Sequence, residues 1–220
     1  MNRRRVVITG LGCVTALAES AGGLFAALCE GKSGISAVES FDVSAYPVRF
    51  GGEVKNFDVT KYIDRRESKR MDRFSQFAMA AAVQAVNDSG LDFSKEDAFR
   101  AGVIVGTGIG GISEIEKQHT RLLNKGPRHL SPFTVPRLMA NAAGGNIAIR
   151  YGLQGPNICT VSACASGAHA IGEAFCNIIS GRSDIMVTGG TEAALTPVGL
   201  ASFCAARSLS TRNDDPVAAS

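Results

Sequence analysis

An α/β fold with a mostly parallel sheet covered by helices is predicted by three features of this 220-residue sequence. Short apolar strand patterns alternate with longer helical ones, the order that parallel sheets require. The 25 glycines follow no fixed period, which marks tight turns and close backbone approaches rather than a fibrous or disordered chain. With 45% hydrophobic and 20% charged residues, the chain can bury one sizeable core.

The elements follow in order. Val6–Thr9 reads as a first buried strand turning at Gly10-Leu-Gly12, followed by a helix around Gly23–Glu30 and a polar stretch to about residue 60. Helix Ser68–Ser89, strand Ala101–Gly106 and helix Ser113–Leu123 come next. Beyond a loop punctuated by Pro127, Pro132 and Pro136, the pattern predicts a helix near Arg137–Tyr151 and a strand over Asn157–Ser162. A helix from Cys164 to Ser180, stopped by Gly181, and a strand over Asp184–Gly189 complete it. The segment from Ser208 to Ser220 is rich in turn and capping residues, so residues 1–220 read as one domain whose end falls in a loop.

Composition excludes several classes. The start orders basic, apolar and small residues as a secretory signal does. Thr9, Gly10, Gly12 and Thr15 break its apolar run, however, and a cytoplasmic chain is the expectation. No stretch is long enough to span a membrane as a helix. Cys13, Cys29, Cys159, Cys164, Cys176 and Cys204 form no C-x-x-C pair, which argues against structural zinc or a disulfide scaffold and for free thiols, by default small buried hydrophobes. A net charge of +3, 6% aromatics and no recognised motif argue against nucleic acid.

Cys164 is the first candidate for chemistry. It follows a predicted strand and opens a predicted helix whose next residues, Ala165-Ser-Gly167, are small. At a helix N-terminus the unpaired N–H groups and the dipole favour a thiolate and can hold a developing oxyanion. By position alone, a cysteine at such a turn is more often buried and inert than nucleophilic. Gly106-Thr-Gly-Ile-Gly-Gly111 matches the dinucleotide pattern G-x-G-x-x-G, yet no Asp or Glu lies between Glu116 and Glu173 to hold a ribose, so a plain tight turn or an acyl-chain passage competes.

That carboxylate-free stretch carries Lys117, Arg121, Lys125, Arg128, Arg137 and Arg150, an uncompensated positive region suited to an anionic partner. Arg65, Lys69 and Arg73, with Arg66 and Arg70, are spaced to form a basic stripe on one helical face, either solvated or a docking surface for an acidic protein. His119, His129 and His169 read as surface or structural residues, and none can be paired with a cysteine.

Taken together, the segments Arg5-Val-Val-Ile-Thr-Gly-Leu-Gly-Cys-Val-Thr15, Gly106–Gly111, Ser131-Pro-Phe133, Tyr151-Gly-Leu-Gln-Gly-Pro156, Ser162-Ala-Cys-Ala-Ser-Gly167, Gly189-Gly-Thr-Glu192 and Arg207-Ser-Leu-Ser-Thr-Arg-Asn213 resemble the β-ketoacyl-acyl-carrier-protein synthases, above all the type II elongating enzymes of fatty acid synthesis. The resemblance implies the amino-terminal half of a two-half thiolase-like fold. It also implies that Cys164 takes an acyl group from acyl carrier protein, ahead of decarboxylative condensation with malonyl-carrier protein. By the same resemblance Ile109 and Phe203 line the acyl pocket, Arg65–Arg73 meet the carrier protein, and the strand before Cys164 pairs across a homodimer axis. No metal or bound cofactor is implied, though the carrier's phosphopantetheine arm would enter the site. The family's two catalytic histidines, its lysine and its second oxyanion donor match nothing here, and Thr134 stands where relatives often carry Phe. Competing readings are a non-catalytic carrier-binding or dimerising module, and a thiolase-like enzyme acting on coenzyme A esters.

Overall fold

In the computed structural model, which describes residues 4–219, the elements in chain order are α1 (Ala21–Cys29), β1 (Ser36–Ala37), β2 (Phe50–Gly51), α2 (Arg65–Ser68), α3 (Arg73–Ser89), β3 (Ala101–Gly106), α4 (Ile112–Lys125), α5 (Thr134–Leu138), α6 (Ala142–Tyr151), β4 (Asn157–Ile158), α7 (Ser166–Ile179), β5 (Ile185–Gly190) and α8 (Pro197–Ala205). The chain divides into two units. The larger holds the segment ending at Gly12 together with Val59–Ala193, and the smaller holds Cys13–Asp58 and the chain from Ala194 onward.

In the larger unit β3 lies between β4 and β5, parallel to both. All six of its residues are buried, which explains its continuous apolar sequence. Alternation along the strand sorts its neighbours. Ala101, Val103 and Val105 join a core with Phe74, Ala78 and Met79 of α3 and Ala143 and Ile147 of α6. Ile104 packs instead with Ala170 and Ala174 of α7. The sheet therefore has α3 and α6 on one face and α7 on the other. Each large side chain fully buried in this way, such as Phe74 or Met79, contributes about 1.5–3 kcal/mol.

Small residues let α7 approach the sheet closely. A β-carbon on Gly106 would stand 2.2 Å from the Ser166 carbonyl oxygen. Gly167 and Gly190 meet similarly, a β-carbon on Gly190 falling 2.8 Å from the Gly167 Cα. The strand ends and the start of α7 are thus in backbone contact.

Four expectations need correction. Val6–Thr9 is not in a strand. The segment and β5 both line a cavity of about 280 Å³, and Ile8 is 81% exposed. The expected helix Ser68–Ser89 is two helices, because Asp72 turns its side chain away to accept from Ser113 Oγ and the Glu114 N–H, and the chain restarts at Arg73. The helix expected over Arg137–Tyr151 breaks after Leu138, where Met139 is extended. The strand expected to Ser162 ends at Ile158, because its last residues turn into the bend before α7.

The start of the unit is fastened by charge. Asp184 accepts from Arg4 at 2.6 Å and from Arg100 at 2.7 Å through two nitrogens, while Arg100 also donates to the Gly181 carbonyl.

In the smaller unit, α1 is capped by Ser20 Oγ, which accepts from the Gly23 N–H. β1 and β2 pair antiparallel, Ser36 with Gly51 and Ala37 with Phe50. The Glu53 carboxylate takes the N–H groups of Glu39 and Ser40. The Asn213 amide accepts from the Arg49 N–H and donates to the Pro47 carbonyl, tying the late loop to this pair. The sequence pattern did not show β1, β2 or α8, because two-residue strands carry no periodicity and α8 lacks a polar face.

Two measurements check this packing. Gly106→Ala must force α7 off β3 and is expected to lower the stability of the chain by about 2 kcal/mol or more in denaturant unfolding. The second concerns acid. Hydrogen bonds from Arg100 and then Arg4 hold the Asp184 carboxyl well below the usual carboxylate range. Its stabilising effect is complete above the unfolded-state value of about 3.9 and is lost as pH falls towards the folded-state value. Asp184→Asn is expected to unfold less steeply with acid below about pH 4 than the parent chain.

Candidate active site

The bend before α7 is built around two short residues. Ala163 adopts a left-handed backbone with φ 52°, unusual for a residue with a β-carbon and costing about 1–2 kcal/mol. Ser166, fully buried, holds it there: its Oγ accepts from the Ser162 N–H at 2.9 Å and donates to the Ala163 carbonyl at 2.7 Å. Thr160 Oγ1 donates to the Ser166 carbonyl at 2.8 Å, so the incoming strand is tied to the first turn of α7. Cys164 is thereby presented, exposed, two residues before a 14-residue helix.

The remaining cysteines divide. Cys13 and Cys159 are half-buried, and burial pushes both thiols up from their ordinary value. Cys29 and Cys176 are exposed, contrary to the expectation that they are core residues. They lie on the outer faces of α1 and α7, where a small thiol costs little to leave in water. Cys164 is the exposed thiol beside a helix N-terminus.

Next to the bend sits the turn after β3. A β-carbon on Gly108 would lie 3.4 Å from the Ala163 carbonyl oxygen, so turn and bend face each other across about one methyl group. The two backbone N–H groups that a dinucleotide phosphate would use, those of Gly108 and Ile109, donate to the Glu192 carboxylate at 2.8 and 3.0 Å. The N-terminus of α4 is likewise filled by Asp72. Both anion positions hold carboxylates of the chain itself, which overturns the dinucleotide reading. Ile109 projects from this turn with 42% of its surface exposed; Phe203 lies on α8 of the other unit, 44% exposed.

His169 shares a 2.6 Å hydrogen bond between its Nδ1 and Ser162 Oγ, an exposed structural contact, and His119 and His129 are exposed. Among the described residues no cluster of three or more His, Cys, Asp or Glu is arranged to hold a metal.

The basic residues do not form one helical stripe. Arg65 and Arg66 are on α2, Lys69 and Arg70 on the connecting turn, and Arg73 opens α3. Arg65, Arg66 and Lys69 are exposed; Arg70 stacks over Phe133 at 5.6 Å, and Arg73, half-buried, over Phe77 at 4.7 Å. Nor is the region from Lys117 to Arg150 wholly uncompensated. Arg137 pairs with Glu114 at 3.1 Å and donates to the Lys69 carbonyl, while Arg150 reaches Glu67 at 3.5 Å. Lys117, Arg121, Lys125 and Arg128 remain exposed.

Sequence reasoning missed Ser166, Asp72, Glu114 and Glu192 as the residues that hold these parts together. A serine two places after the cysteine and an acid after Gly189-Gly190 were visible, but their partners lie on distant segments.

A parallel sheet covered on both faces, with an exposed thiol on a strained strand-to-helix bend beside it, defines an α/β protein with an accessible cysteine at a helix start. Comparison with known proteins gives this class a family. Residues 3–220 match the family profile of the beta-ketoacyl synthase N-terminal domain, and the chain belongs to that family. It is 50% identical to the 3-oxoacyl-[acyl-carrier-protein] synthase 2 of Synechocystis sp. over 220 residues, all of this chain and 53% of that protein. It is 47% identical, with the same coverage, to the enzyme of that name from Vibrio harveyi. Among solved structures it resembles a beta-ketoacyl synthase from Burkholderia phymatum, at TM-score 0.84 and 31% identity over 98% of this chain and 53% of that one. The fold is therefore the thiolase-like one, and the chain spans about half the length of the curated relatives it matches.

The buried ion pair is open to test. Arg137→Ala leaves Glu114, whose side chain is 5% exposed, without its cation and is expected to cost about 3 kcal/mol in denaturant unfolding; pairing Glu114→Gln with Arg137→Met should recover most of it.

Proposed function

We propose that this chain is the thiol-bearing, amino-terminal domain, residues 1–220, of a β-ketoacyl-acyl-carrier-protein synthase of the elongating type. The observation that carries the reading is the exposed Cys164 on the Ser166-braced bend at the start of α7. The Cys164 sulfur attacks the acyl carbonyl, the bond from that carbon to the pantetheine sulfur of acyl carrier protein breaks, and the departing thiolate takes up a proton. The Cys164 N–H supplies half of the oxyanion hole, and Ile109 and Phe203 line the pocket for the acyl chain. Malonyl-carrier protein then loses carbon dioxide and its carbanion attacks the thioester. That step needs the histidines that the family carries in its second half, and none of His119, His129 or His169 replaces them.

Arg65, Arg66, Lys69, Arg70 and Arg73 receive the acidic carrier protein. Exposure of the first three supports this, while the ring contacts of Arg70 and Arg73 give those two a packing role as well. A homodimer forms through the strand before Cys164, a reading favoured by β4 lying at the sheet edge with Asn157 and Ile158 exposed. The chain works in the cytoplasm.

Intact-mass measurement after incubation with an acyl thioester tests the central step. A single adduct that Cys164→Ala abolishes is expected; adducts shared evenly among Cys29, Cys164 and Cys176 would overturn it. For docking, Arg66→Glu with Lys69→Glu is expected to weaken acyl carrier protein binding about tenfold or more at low salt, a difference that shrinks as salt is added.

A further inference from the structure

The carboxylate that fills the turn after β3 has a consequence for Cys164. The register of β3 with β5 sets Gly106 beside Gly190, so the chain leaving β5 passes the turn leaving β3. Thr191 anchors it there: its N–H donates to the Gly106 carbonyl at 2.9 Å, and its Oγ1 to the Phe74 carbonyl at 2.6 Å. Glu192, next in sequence, accepts from Thr107 Oγ1 at 3.1 Å and from the N–H groups of Gly108 and Ile109. The turn is otherwise braced within itself by the Gly110 N–H donating to Thr107 Oγ1 at 3.2 Å. Two adjacent N–H groups converging on one carboxylate oxygen are charge-assisted bonds, roughly twice as strong as neutral ones.

The held turn is also a wall of the site. It faces the Ala163 carbonyl, one residue from the thiol, and Ile109 is the one large apolar side chain it presents. We propose that Glu192 is a positioning residue: it clamps the Thr107–Gly110 turn against the Cys164 bend and so sets which acyl chains the thiol accepts. The clamp stands on the geometry alone; its effect on acyl choice rests on the acyl-transfer reading above. Releasing the clamp lets Ile109 swing away from the bend and admits longer chains.

The test uses the 220-residue chain with Glu192→Ala and Glu192→Gln, the second retaining shape and one acceptor oxygen in case the first folds poorly. Two quantities are read. Amide hydrogen exchange at Gly108 and Ile109 is expected to quicken by about tenfold in Glu192→Ala, and by less in Glu192→Gln. The ratio of Cys164 acylation rates with a hexadecanoyl and an octanoyl thioester, followed by intact mass, is expected to rise several-fold in the same order. A merely structural role would slow both acylations alike and leave their ratio fixed. Unchanged exchange would overturn the clamp. Quickened exchange with an unchanged ratio would overturn the role in acyl choice. Absence of any Cys164 adduct on the parent chain would overturn the acyl-transfer reading, and acyl choice with it, while exchange would still decide the clamp.

Discussion

Backbone contact between α7 and the ends of β3 and β5 is the constraint on which the site depends. A helix normally rests on a sheet through layers of side chains about 10 Å apart. Here glycines at 106, 167 and 190 remove that layer at one end, so the start of α7 is drawn onto the strand termini. The chain entering the helix has no room for a gradual approach and must bend sharply at Ala163. Ser166 then settles the geometry by serving both sides of the bend. The position of the thiol thus follows from where two backbones meet, far more than from any interaction of the cysteine itself.

Around this seam, negative side chains do the work that bound anions do in other α/β proteins. Glu192 occupies the turn after β3 and Asp72 the start of α4. Each satisfies backbone N–H groups that would otherwise face solvent or the interior unpaired.

The sheet, its direction and its covering helices were legible because β3, β5, α4 and α7 carry long, consistent patterns. Ala101–Gly106 was read to the residue, and α7 to within two. Breaks inside helices were not legible. An aspartate such as Asp72 is a favoured N-cap as well as a tolerated exposed helix residue, and only its contact with Ser113 and Glu114, 41 and 42 positions away, shows which it is here. The first segment failed for a different reason: Val6–Thr9 has the apolar content of a strand, but pairing depends on a neighbour that the pattern cannot supply. Cys164 was found as a strand-to-helix thiol. The residues that hold it were hidden because a serine or glutamate announces a hydrogen bond without announcing to what.

The alanine at position 163 has one more implication. Glycine would fit its left-handed dihedral without strain, recovering about 1–2 kcal/mol, but would forfeit about 0.5–1 kcal/mol through the greater freedom of the unfolded chain. The two nearly offset, so overall stability scarcely discriminates between them. What the methyl group does change is the breadth of the backbone well: with a β-carbon present, few other dihedral combinations are open at the residue before Cys164. At this corner the chain trades a small amount of stability for a narrow range of backbone geometries leading into Cys164.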